Sequence, residues 1–236
     1  MMQEYNSNMT KWLASVQSVA EAQALLTELP DILDMKNPSQ GALGALPVST
    51  VSEIVDLIDG RCQTSATIGD LAMDANVIGP AIIAMANSGV DYVKMGLFPD
   101  VDIEDCIQQL NVTIKPLKTP VIAVIFADKP VSETVYSLLA ESGFKGIMVD
   151  TAIKNGKHLL AHQSLGQLSL FVEKIKGLHL MCGLAGSLRV DDIATLAALK
   201  ADYLGFRSAL CDQQQRTLSI DIKRVKNVKT ACALSN

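Results

Sequence analysis

The chain has no CxxC pair, no apolar run long enough to span a bilayer, and no strong excess of charge of either sign. Each absence removes a class of protein. Its five cysteines (Cys62, Cys106, Cys182, Cys211 and Cys232) are odd in number and scattered, so neither a zinc ribbon nor a disulfide framework is indicated. A formal net charge of −5 with 19% charged residues is a mild acidic balance, which argues against nucleic acid or a membrane surface as partner. The polar opening stretch, about residues 1–10, has no apolar h-region. The expectation is a cytoplasmic protein. No linker and no low-complexity segment breaks the sequence, so residues 1–236 are expected to form one domain behind a polar N-terminal extension.

What is present is alternation. Apolar runs of strand length are followed by segments of helical period. The strand-like runs are residues 11–18, 31–36, 63–70, 91–98, 120–128, 146–152, 178–187 and 202–210. The helical segments are 19–29, 48–60, 76–89, 102–115, 132–143, 165–177, 190–200 and 219–231. The strand runs are almost continuously apolar, as expected of strands covered on both faces. Eight such pairs in 236 residues predict an α/β fold, a (β/α)8 TIM barrel, whose usual size is ~250 residues. The rival is an open doubly wound sheet. That fold carries a glycine-rich fingerprint behind its first strand, and "VQSVAEA" has none.

In a barrel, chemistry gathers where strands end. Strand two ends in Asp34 and Lys36, strand three in Thr67 and Asp70, and strand four carries Lys94. Strand five ends at Asp128 and strand six at Asp150, with Lys154 in the loop beyond. Asp34 and Lys36 share a face, because alternate strand residues do. One strand-end lysine is most simply a salt-bridged surface residue. Three of them beside carboxylates point to amine chemistry. A lysine with a depressed pKa attacks a carbonyl, the iminium acidifies the next carbon, and a neighbouring lysine or carboxylate moves the proton.

The last two strands end in "GLAGS", with Gly186 and Ser187, and in "FRSAL", with Arg207 and Ser208. Loops at those positions form phosphate sites in many barrels, through backbone N–H groups and a fixed cation. A phosphorylated carbonyl compound is the expected ligand. His158 and His162 have helical metal-ligand spacing, but no third ligand lies nearby. His179, Cys62 and Cys182 read as structural, and "DIKRVKNVK" as the wet face of the last helix.

The runs "DMKNPSQGALGALP", "SATIGD", "DYVKMGL", "DTAIKNGK", "LAGS" and "LGFRSALC" occur in this order. Together they resemble the (5-formylfuran-3-yl)methyl phosphate synthase family, from about residue 13 to the last helix. "KNPxxGALGA" and "DTAxKxGK" are the most specific. The resemblance implies an enzyme that makes the furan ring of methanofuran. Two glyceraldehyde 3-phosphates would condense with loss of one phosphate and two waters. It implies a Schiff base on Lys36, with Lys94 as proton acceptor and Lys154, Asp34 and Asp150 at the other active positions. No metal or organic cofactor is expected, and a homo-oligomer is. Some relatives carry an acidic residue where Gln40 stands. Two other readings remain open: a class I aldolase-like barrel acting on another phosphorylated sugar, and a non-catalytic phosphate-binding barrel.

Overall fold

The computed structural model describes residues 9–99, 102–153 and 155–235. Eight parallel strands close into a barrel in sequence order, and β1 pairs with β8. The strands are β1 (Lys11–Val16), β2 (Ile32–Met35), β3 (Gln63–Thr67), β4 (Tyr92–Gly96), β5 (Val121–Phe126), β6 (Gly146–Asp150), β7 (Met181–Leu184) and β8 (Tyr203–Phe206). Between and after them run α1 (Val19–Ala24), α2 (Val48–Ile58), α3 (Ala75–Ala86), α4 (Ile103–Ile114), α5 (Thr134–Glu141), α6 (Leu165–Gly177), α7 (Ile193–Ala197) and α8 (Ile222–Leu234). The predicted barrel is therefore the observed fold. Most of the predicted extension, residues 1–8, lies outside the described residues.

Alternation within each strand makes two cores. Outward residues such as Leu33, Met35, Val93 and Ile125 pack against helix residues such as Ile54, Ile82 and Ile107. Each large side chain so buried stabilises the fold by roughly 1.5–3 kcal/mol. Inward residues fill the barrel itself: Leu13, Ile32, Ile122, Val124, Met148 and Tyr203. Room for Tyr203 comes from Gly183, where a Cβ would stand 2.3 Å from the tyrosine ring. Bulky apolar groups thus occupy the interior towards the strand starts, and polar ones gather towards the strand ends.

The helices begin where local chemistry supplies an acceptor. Ser164 and Gln167 form a reciprocal capping box on α6. Asp74 and Asp221 cap α3 and α8 through the backbone N–H groups of Asn76 and Lys223. Strands seven and eight are shorter than their apolar runs suggested. His179 (φ 57°) precedes β7, and Gly186 (φ 112°) and Ser187 (φ 51°) follow it. Those left-handed residues cannot continue a ladder. The predicted helix 190–200 divides into a 3-10 turn at Val190–Asp192 and α7, since Asp192 turns back to accept from the Arg189 N–H.

Candidate active site

Register builds the centre of the site. Ser15 on β1 and Ser65 on β3 both stand directly beside Asp34 on β2. Their hydroxyls donate to the two carboxylate oxygens, Ser15 to Oδ2 at 2.9 Å and Ser65 to Oδ1 at 2.7 Å. Lys94 reaches in from β4, with Nζ 2.5 Å from Asp34 Oδ1. Both side chains are almost fully buried, at 3% and 0% exposure. Burial by itself raises the Asp34 carboxyl. The ammonium groups of Lys94 and Lys36, with hydrogen bonds from Lys94 and Ser65, outweigh it and hold the group below the ordinary carboxylate range.

Lys36 sits one residue past β2, where its N–H still bonds to the Val16 carbonyl at 3.0 Å. Its Nζ stands 3.9 Å from Asp150 Oδ2, at the end of β6. The loop that follows Lys36 is held from β3 and the turn beyond it. Asp70 accepts from the N–H groups of Ala42 and Leu43, both at 2.8 Å, and Thr67 donates to the Gly44 carbonyl at 3.0 Å. Hence the glycine in "QGALGA". Gly41 has φ +89°, and a Cβ there would stand 2.0 Å from Asp70 Oδ2. Gly41→Ala is expected to lower stability by about 1–3 kcal/mol, the usual cost of such a forced conformation. Denaturant unfolding measures it. An unchanged midpoint would mean the Asp70 anchor is dispensable.

Asp128 anchors the opposite loop, accepting from the Ala152 and Ile153 N–H groups at 2.7 Å each. Burial raises its pKa, and these bonds more than reverse that. This loop carries Lys154, which lies outside the described residues.

The expected phosphate residues lie on the same cavity. Gly186, Ser187, Arg207 and Ser208 line it together with Asp34, Lys36, Lys94 and Asp150. Among the described residues, no acceptor in the protein meets the backbone N–H groups of Gly186 and Ser187. Arg207 differs from its expected role as a free phosphate cation. Nε donates to the Arg216 carbonyl (2.8 Å), Nη1 to the Ser15 carbonyl (3.0 Å) and Glu21 Oε2 (2.5 Å), and Nη2 to Glu21 Oε1 (3.1 Å) and the Leu218 carbonyl (3.0 Å). That accounts for all five guanidinium N–H groups. As folded here, Arg207 ties β1, α1 and the last loop together and keeps no donor for a ligand.

Sequence reasoning missed Ser15 and Ser65, Glu21, and Arg216, which also lines the cavity. The two serines were the findable ones, as polar residues at inward positions of apolar strands. His158 Nδ1 faces Asp192 Oδ2 at 3.2 Å, and among the described residues no cluster of three metal-ligating side chains exists. No described helix is long and apolar enough to cross a membrane.

Comparison with known proteins agrees with the expected family. The profile of the 4-HFC-P synthase family matches residues 12–229. The (5-formylfuran-3-yl)methyl phosphate synthase of Archaeoglobus fulgidus is 33% identical over 231 residues, covering 93% of this chain and 97% of that one. That of Methanocaldococcus jannaschii is 32% identical over 231 residues, covering 93% and 98%. A Methylorubrum extorquens protein, provisionally given the same name, is 40% identical over 215 residues, covering 90% and 87%. Among solved structures, 3-hexulose-6-phosphate synthase superposes with a TM-score of 0.65 at 15% identity, covering 94% of this chain and 99% of that one. The 3-keto-L-gulonate-6-phosphate decarboxylase of Vibrio cholerae reaches 0.68 at 9% identity, covering 96% and 98%; at such identities the likeness is one of fold alone. By profile and by length-spanning identity to named synthases, the chain belongs to the 4-HFC-P synthase family, that of the (5-formylfuran-3-yl)methyl phosphate synthases.

Proposed function

We propose that the protein condenses two molecules of glyceraldehyde 3-phosphate to (5-formylfuran-3-yl)methyl phosphate, releasing one phosphate and two waters, in methanofuran biosynthesis. The observation that carries this reading is the pairing of two lysines with two aspartates, Lys94 with Asp34 and Lys36 with Asp150, in one cavity at the strand ends. A binder needs the cations alone; paired acids are needed to move protons.

Lys36 is the nucleophile. Its neutral amine adds to the carbonyl of one triose phosphate, which reaches its ketone form through the enediol, and the first water leaves to give the iminium. The Lys94–Asp34 pair removes the proton from the adjacent carbon, with the short Nζ–Oδ1 contact letting that proton pass between them. The enamine then attacks the aldehyde of the second triose. Phosphate departs by elimination, the carbon–nitrogen bond to Lys36 breaks as its amine is expelled, and loss of the second water completes the aromatic ring. Every bond change is an addition or an elimination, so no oxidant or reductant enters. The iminium is the electron sink and takes the place of an organic cofactor. Asp150 holds Lys36 and relays protons, and Lys154 completes the lysine set. The N–H groups of Gly186 and Ser187, with Ser208, hold a phosphate.

The test is incubation with glyceraldehyde 3-phosphate as sole substrate, followed by ultraviolet absorbance and mass spectrometry of the product. A furan phosphate is expected. A linear sugar phosphate without furan absorbance would identify an aldolase-like enzyme instead. No turnover would leave a phosphate-binding barrel.

A further inference from the structure

Two phosphorylated trioses have to meet over one lysine, and three spaces with lining residues in common lie at the mouth of the barrel. The cavity beside Lys36 is small, about 30 Å³. A second space of about 360 Å³ shares Ser187, Ser208 and Arg216 with it and is lined also by Gln215. A third, of about 330 Å³, shares Arg216 and is lined also by Pro38, Asp70, Phe98 and Lys129. Arg216 is the one side chain shared by all three.

Its donors are largely uncommitted. One N–H on Nη2 bonds to the Gly41 carbonyl at 2.9 Å, and among the described residues no other acceptor meets the guanidinium. Arg207, behind it, has none left. Burial lowers the Arg216 pKa, and so does Arg207, while Asp150 and Asp70 oppose them. Neither carboxylate forms an ion pair with this half-buried cation among the described residues, and a phosphate dianion could do so directly. Lys129 lies on the 330 Å³ space only; it is exposed, and among the described residues it makes no ion pair. The one carboxylate in that space, Asp70, already has both oxygens occupied by the Ala42 and Leu43 N–H groups. Phe98 and Ala152 give it an apolar wall.

We infer that Arg216 divides the mouth into two phosphate subsites and contacts both: the Ser187–Ser208 side takes the phosphate of the triose bound to Lys36, and the Lys129 side takes the phosphate of the second triose. This rests on the two-triose reading above and assigns the residues that tell the substrates apart. Lys129 is a specificity residue for the second substrate alone. Arg216 serves both.

The experiment uses the full chain, glyceraldehyde 3-phosphate over a wide concentration range, and two readouts. Borohydride trapping on Lys36 reports occupancy by the first triose. Furan absorbance reports arrival of the second. In Lys129→Met the concentration for half-maximal trapping should stay as in wild type, while that for furan formation rises about tenfold, the loss of one charge-assisted contact. In Arg216→Met both concentrations should rise by about that factor or more. Lys129→Met with a wild-type furan curve would overturn the second subsite. Arg216→Met with unchanged trapping would overturn the shared role. Wild-type protein that yields neither adduct nor furan would instead overturn the underlying two-triose reading, and the subsites with it.

Discussion

Replacing Lys36 by methionine is expected to stop furan formation, by on the order of 10⁴-fold or more, the scale on which losing a covalent nucleophile is felt. Borohydride added to wild-type protein with glyceraldehyde 3-phosphate should leave a reduced triose on Lys36. The variant should gain no such mass. Lys36→Arg sharpens the result, because it keeps a cation facing Asp150. A guanidinium stays protonated at every working pH and cannot act as a neutral nucleophile. If retained charge were all the site needs, Lys36→Arg would keep activity. If the triose mass appears on Lys94 instead, the roles of the two lysines are exchanged.

The second large effect concerns stability. Asp34→Ala is expected to cost about 3–5 kcal/mol, as breaking a buried ion pair generally does. The cause is what it leaves behind: the Lys94 ammonium in a site only 3% exposed, and the Ser15 and Ser65 hydroxyls without their acceptor. The double variant Asp34→Ala with Lys94→Met should recover much of that loss, because the orphaned charge goes too. Denaturant unfolding of the four proteins decides it. A double variant as unstable as the sum of the singles would show that the two groups do not couple. The same pair sets an acid limit. Asp34 has a lowered pKa in the folded protein. Its contribution is therefore complete above the unfolded carboxylate value, about 3.9, and is lost as pH falls from there through the folded value.

The barrel was readable because its strands are apolar on both sides and its helices are not, a contrast that survives in one dimension. The charged half of the site was readable for the related reason that Asp34, Lys36, Lys94 and Asp150 interrupt runs that would otherwise be apolar. Strand limits were less so. The apolar runs continue beyond the ladders, and backbone turns such as Gly186–Ser187 end them where hydropathy does not change. Least legible were partners set by strand register and by closure of the barrel. Ser15 and Ser65 become neighbours of Asp34 only through register. Arg207 looked like a ligand because its acceptors come from β1, α1 and the final loop, none of them close to it in a periodic pattern. Arg216 lies in a loop with no period at all.

The bond between Arg207 and Glu21 spans 186 positions of sequence across the β8–β1 seam. During synthesis, Glu21 leaves the ribosome 186 residues ahead of Arg207. Until then, β1 presents an open edge and α1 holds a carboxylate whose cation does not yet exist. Until β8 emerges the nascent barrel is an unfinished sheet, with the hazard of edge-to-edge association that such sheets carry. Chains stalled before residue 207 should need a chaperone to stay in solution, and emergence of β8 and α8 should end that need.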